Sequence, residues 1–156
     1  MSASHIRGLS FYLLAVCLLV FGVVNRGMAA SEGDNSSVRQ IIVPGEDRFM
    51  PFAITIRVGQ KVTFINRDAD DHTVVSNDAF NTAGHRGVNM LLKANGGKIT
   101  LTFKHAGVFP FYCRFHSVLD AHNQPKAPGP DGGIQDANGN FGTPMNGVIT
   151  VLAGQD

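Results

Sequence analysis

The stretch Phe111-Tyr112-Cys113-Arg114-Phe115-His116 sets a thiol and an imidazole with two residues between them at the end of an aromatic, strand-like run. A thiolate and an imidazole this close can bind one metal ion if the backbone turns so that both side chains point the same way. His72 is the candidate for a third donor. It stands where a polar loop, Arg67 to Asp71, meets the apolar run His72-Thr73-Val74-Val75, a position that can hang over the end of a sheet. Two imidazoles and one thiolate, with a weak fourth thioether, suit copper. Cu(I) favours soft sulfur and low coordination, and Cu(II) accepts nitrogen and a short thiolate bond. A rigid site acceptable to both states changes little when an electron moves. Zinc accepts the same donor types, so the donor set alone leaves the metal open.

The elements that must position these residues read as short strands. Val38 to Val43 is a first strand, stopped by Pro44-Gly45. Phe52 to Val58 alternates, with Ile54, Ile56 and Val58 on one face. After Gly59-Gln60, Lys61 to Asn66 alternates again, with Val62 and Phe64 inward. These two runs read as a hairpin. Asn77 to Asn95 is the least regular part, with one apolar patch at Val88 to Leu92. Lys98 to Phe103 puts Ile99, Leu101 and Phe103 on one face, Ala106-Gly107 is a turn, and Val108 to Cys113 follows. Pro110 inside that run predicts an edge or a local irregularity. Val148 to Leu152 is the last strand. No long stretch has the 3.6-residue period, so the pattern predicts an all-β sandwich. Ser117 to Pro144, with Pro125, Pro128, Pro130, Pro144 and five glycines, reads as a long loop insertion beside His116, either a cover that faces a partner or a disordered insert with no role.

The start of the 156-residue chain has a different character. His5 and Arg7 precede an apolar run from Leu9 to Val24, and small residues follow at Gly27, Ala29 and Ala30. That order predicts a secretory signal peptide over 1–30, hence an exported, periplasmic protein; an uncleaved anchor helix is the alternative. Residues 31–37 read as a flexible lead-in and 38–156 as the folded domain. Without 1–30, eleven basic groups face twelve acidic ones and no charge run stands out, which argues against nucleic acid as a partner. Cys17 leaves with the signal, so Cys113 is then the one cysteine. An unpaired thiol in an oxidising compartment is a liability unless something holds it, and a metal would.

The runs Val58-Gly59-Gln60-Lys61-Val62-Thr63-Phe64-Ile65-Asn66, Asp71-His72-Thr73-Val74, Gly107-Val108-Phe109-Pro110-Phe111-Tyr112-Cys113-Arg114-Phe115-His116 and Met145-Asn146-Gly147-Val148-Ile149-Thr150-Val151 resemble the cupredoxins, the small blue copper proteins. The resemblance spans about Phe49 to Leu152 and implies an eight-stranded Greek-key β-sandwich with a type 1 copper site at one end. It implies His72, Cys113 and His116 as strong ligands. The family's axial Met usually falls two to five residues after the second His, where this chain has Val118, Leu119, Asp120 and Ala121. Met145 stands just before the last strand, the family's usual place relative to that strand, so a long insertion separates it from His116. His122 within the insertion, or no strong fourth ligand with Leu119 packed there, are the competing assignments. Where several members carry a bracing Asn after the first His, this chain has Thr73, able to donate through its backbone and its hydroxyl.

The resemblance implies an electron carrier that exchanges single electrons with redox partners such as a c-type cytochrome or an oxidase or reductase. The His116 ring edge is then expected at the surface, within an apolar patch drawn from Phe109, Phe111, Phe115 and Phe141. No enzyme is expected: the chain has no His-x-His pair for a three-copper centre and no second cysteine for a dinuclear one. No small-molecule substrate is expected, and no membrane span in the mature form. Two other readings compete. One is a periplasmic copper carrier or storage protein, for which three scattered methionines are few. The other is a red-copper, nitrosocyanin-like site using His122.

Overall fold

The computed structural model describes residues 38–154. The signal peptide and lead-in assigned to 1–37 lie outside the described residues. Two sheets carry most of the fold. One is three-stranded: β1 (Val38–Val43), β3 (Lys61–Asn66) and β6 (Lys98–Thr102), in the order β1-β3-β6. The other is five-stranded: β2 (Ala53–Arg57), β4 (His72–Ser76), β5 (Asn89–Leu92), β7 (Gly107–Tyr112) and β12 (Asn146–Leu152), in the order β2-β12-β7-β4-β5. The chain crosses repeatedly between them, as a Greek-key sandwich requires. No described helix is long and apolar enough to cross a membrane.

Alternation decides which face is inward. Val62 and Phe64 on β3, Ile99 and Leu101 on β6 and Ile56 on β2 are buried, with polar neighbours between them turned outward. The core centre is aromatic. Phe111 meets Phe49 and Phe64 edge to face at 4.9 and 5.1 Å, and Phe103 meets Phe109 at 5.3 Å. β4 is buried at every residue because β7 and β5 flank it and the core lies beneath.

Three expectations change here. β2 and β3 do not form a hairpin. β2 pairs in parallel with β12, and β3 pairs with β1 and β6, so the turn at Gly59-Gln60 carries the chain from one sheet to the other. Gly59 takes φ 93°, and the turn ties into both sheets: Gly59 N–H donates to Phe103 O at 2.8 Å and Val58 N–H to Leu152 O at 2.9 Å. Alternation alone says that both runs bury one face, and an arch across the core satisfies that as well as a hairpin. Pro110 is not on an edge, and the β7–β12 register runs through it without a shift. It lies on the central strand β7 opposite Val148, while its carbonyl accepts from Asn77 N–H at 2.8 Å, just past the last β4 pair, Ser76↔Phe111. Its missing N–H therefore falls where the β4 ladder has ended.

The third change is the insertion. Residues 117–144 are not a structureless loop but two small hairpins: β8 (Val118–Leu119) with β9 (Pro125–Ala127), and β10 (Ile134–Gln135) with β11 (Phe141–Thr143). Asp120 and Asp136 cap the two turns, each accepting two backbone N–H bonds at 2.8 and 2.9 Å. Asn77 Nδ2 donates to Asn123 O at 2.7 Å and fastens the first hairpin to the sandwich.

Candidate metal centre

Cys113 is the first residue after β7, and the chain turns there: His116 N–H donates to Cys113 O at 3.2 Å. The turn brings the thiol and the His116 ring to the same side. Met145, just before β12, closes the turn from across the insertion. Its carbonyl accepts from Cys113 N–H and its N–H donates to His116 O, both at 2.9 Å. Ser117 Oγ donates to the same carbonyl at 2.9 Å. The β7–β12 register thus continues into the centre, which explains how Met145 returns to it after an insertion. His72 opens β4, next to β7 in the sheet. His72, Cys113 and Met145 are wholly buried and His116 is 3% exposed.

The donor atoms converge. His72 Nδ1 and His116 Nδ1 are 3.1 Å apart, and Cys113 Sγ lies 3.9 and 3.4 Å from them. A triangle with those sides has its centre about 2.0 Å from each corner, which matches metal–imidazole bonds of about 2.0–2.1 Å and a short metal–thiolate bond. One soft sulfur and two imidazole nitrogens converging on one point, with the buried Met145 tied to the same turn, is a donor set that copper fits.

Electrostatics favour the metal-binding form of the thiol, whereas in the metal-free protein they favour the protonated imidazoles that a metal must displace. Burial pushes the Cys113 thiol up, but hydrogen bonds from His116, His72 and Thr73 outweigh it and lower the thiol from 9.0 to about 5. Thr73 is the brace: its N–H donates to Sγ at 3.3 Å and its hydroxyl at 3.5 Å, while that hydroxyl accepts from Arg114 N–H at 2.9 Å. Burial pulls both imidazoles down. The thiolate, with Asp68 beside His72 and Asp47 beside His116, raises both above the ordinary value.

Two residues here carry no signal that the sequence reading used. His72 Nε2 meets Asp68 Oδ2 at 3.1 Å, and His116 Nε2 meets Asp47 Oδ1 at 3.3 Å. Asp68 stands four residues before His72 in what reads as an ordinary polar loop, and Asp47 follows a Pro-Gly stop. Asp47 also corrects the expected electron exit, because it covers the outer nitrogen of His116 and the ring is not at the surface. A cleft of about 390 Å³ still reaches that ring, lined by Asp70, Asp71, Phe115, His116 and Asp131. Of the aromatic residues expected around His116, Phe109 and Phe111 are core and Phe115 is half-buried. His122 is exposed on the first hairpin turn and is not among the converging donors. Leu119 lines a different cleft with Ser76, Asn77 and Tyr112.

The family model described as copper binding proteins, plastocyanin/azurin family, matches residues 24–121, more than half of the chain. The match includes His72, Cys113 and His116 and ends before Met145. Among solved structures, the chain is similar to a purple cupredoxin from Nitrosopumilus maritimus at 22% identity and TM-score 0.47, covering 73% of this chain and 99% of that one. It is also similar to an oxidized amicyanin mutant at 21% identity and TM-score 0.46, covering 76% and 84%. The reduced state of another amicyanin mutant matches at 22% identity and TM-score 0.43, covering 75% and 82%.

Proposed function

The chain belongs to the plastocyanin/azurin family of copper-binding proteins, and from that premise we propose that it is an exported electron carrier with one type 1 copper. His72 Nδ1, His116 Nδ1 and Cys113 Sγ would hold the ion, and the buried Met145 would supply a weak fourth, thioether donor. The observation that carries the reading is the triangle itself, whose centre is at bonding distance from all three atoms. When bound, copper supplies a one-electron Cu(I)/Cu(II) couple. The chain's own part is to keep its donors fixed between the two states. Cys113 and Met145 are tied to each other through the backbone, and Thr73 and Arg114 fix the sulfur side. Burial of every donor keeps water out and favours a retained ion over a labile one, which speaks against a copper carrier or store. An exposed His122 gives a red-copper site no support.

Redox partners, such as a c-type cytochrome or an oxidase or reductase, dock over the cleft that reaches His116. The insertion contributes Asp131 to that cleft, and with Asp70 it favours a partner face carrying positive charge, Asp71 being paired with Lys93. The protein is not an enzyme in this reading, and it works in the periplasm after removal of 1–30. The test is the visible spectrum of the copper-loaded protein. Strong absorption of orange-red light that disappears in Cys113→Ser supports the reading. A colourless Cu(II) protein overturns it.

A further inference from the structure

A histidine that gives its Nδ1 lone pair to a metal carries its proton on Nε2, and that N–H needs an acceptor. A backbone carbonyl or a water would serve. This chain supplies a carboxylate to each ring: Asp68 to His72 at 3.1 Å and Asp47 to His116 at 3.3 Å. Both carboxylates are largely out of water, with side chains 14% and 15% exposed. Among the described residues neither pairs with a Lys or Arg; the nearby Lys93 pairs with Asp71, and Arg48 with Glu46.

Both are held in place. Asp47 ends a run of three residues with positive φ, Gly45 at 121°, Glu46 at 68° and Asp47 at 50°, a backbone that non-glycine residues rarely adopt and that turns the carboxylate onto His116. Asp68 is fixed by the buried Asn66. Asn66 Oδ1 accepts from Asp68 N–H at 2.9 Å, and Asn66 Nδ2 donates to Asp70 O at 2.7 Å and Leu92 O at 3.1 Å. Asp68 Oδ1 accepts from Ala69 N–H at 2.6 Å, which leaves Oδ2 for His72.

We propose that Asp47 and Asp68 are positioning residues that lock His116 and His72 as Nε2–H tautomers and bias the bound copper toward Cu(II). The inference rests on the type 1 copper reading. Its physics is a charge count. Cu(II) with one thiolate and two carboxylates sums to one negative charge, and reduction raises that to two in a poorly solvated region. Without the carboxylates, reduction would go from one positive charge to neutral. Negative charge close to the rings therefore opposes reduction, and it acts strongly because little water screens it.

The test compares the reduction potential and Zn²⁺ affinity of the full protein with those of Asp47→Asn, Asp68→Asn and Asp131→Asn. At 47 Asn keeps an oxygen for the Nε2–H and removes the charge; at 68 it removes the charge and leaves one oxygen where Ala69 N–H and His72 Nε2–H now use two. Each of the first two is expected to shift the Cu(I):Cu(II) preference about tenfold toward Cu(I), read as a rise of about 59 mV, and to weaken Zn²⁺ about 10–100-fold. Asp131 lines the cleft that reaches His116 and pairs with neither ring nitrogen, so Asp131→Asn should move the potential by less than half as much. A wild-type protein without the orange-red band refutes the copper reading itself. A normal band with Asp47→Asn and Asp68→Asn indistinguishable from Asp131→Asn overturns this inference alone. Independently of any variant, NMR of the Zn²⁺-loaded wild-type protein should show slowly exchanging Nε2–H protons on both His72 and His116. Absence of either proton overturns the inference as well.

Discussion

A methyl group added at Gly129 tests whether the insertion is packed against the metal centre. Gly129 lies between the two small hairpins, and its N–H donates to Gly132 O at 2.8 Å. Two residues on, Asp131 N–H donates to Phe115 O at 3.2 Å. A Cβ on Gly129 would stand 2.6 Å from both the Phe115 carbonyl carbon and the Ser117 nitrogen, with the Phe115 oxygen closer still. Ordinary contact begins near 3.4 Å, so the two backbones must part by at least 0.8 Å. Neither neighbour is a flexible side chain, and both flank His116. Overpacking of this kind costs about 1–3 kcal/mol. For a domain of this size that is a fall in Tm of roughly 3–15 °C. Gly142→Ala is the matched control: a Cβ there meets nothing within 4 Å, so only a small change is expected. The assay is thermal unfolding of both variants without metal, followed by the visible spectrum with copper. Gly129→Ala melting together with Gly142→Ala and the wild type would refute the packing of the insertion on the 115–117 segment.

Three further outcomes are expected. Met145→Leu conserves volume at a fully buried position, so it should cost less than about 1.5 kcal/mol; the charge-transfer band should persist and the reduction potential rise, and an unchanged potential measured by voltammetry would contradict the axial assignment. Thr73→Val removes the hydroxyl that donates to Cys113 Sγ and accepts from Arg114 N–H, so it should destabilise the metal-free fold by about 1–3 kcal/mol in denaturant unfolding and lower the reduction potential, since the thiolate then gives more charge to Cu(II). In the metal-free protein the Cys113 thiol is lowered from 9.0 to about 5, so the folded state binds fewer protons between those values. The Cys113 contribution to stability is full above pH 9 and lost as pH falls through about 5. His72 and His116 are raised and act in the opposite sense, full below 6.5 and lost as pH rises through their folded values. Ultraviolet thiolate absorption should fall to half near pH 5, and a midpoint near pH 9 would contradict the hydrogen-bonded thiolate.

The convergence of His72, Cys113 and His116 was legible because its parts are local or strand-bound. Cys113 and His116 share one turn, and His72 opens a strand whose apolar run marks its own start. The buried faces of β3 and β6 followed from alternation. Partner choice did not, because the period of a strand fixes which face is buried and leaves open which strand lies beside it. That is how β2 and β3 came to look like a hairpin. Asp47 and Asp68 were hidden for a similar reason. A carboxylate in a polar loop looks like any solvated charge until the fold turns it inward, and only the contacts of Asn66 and the positive-φ run at 45–47 reveal that these two are aimed. In the insertion, proline and glycine content signalled turns correctly but concealed two hairpins whose strands are two or three residues long. Segments that short carry too few residues to establish a period.

X-ray absorption at the copper edge of the copper-loaded protein tests the central claim most directly, because it reads the atoms bound to the ion. The triangle of His72, His116 and Cys113 predicts two nitrogen neighbours and one sulfur, all within about 2.0–2.3 Å, with the sulfur lost in Cys113→Ser. A first shell of nitrogen and oxygen only, unchanged by Cys113→Ser, would contradict it.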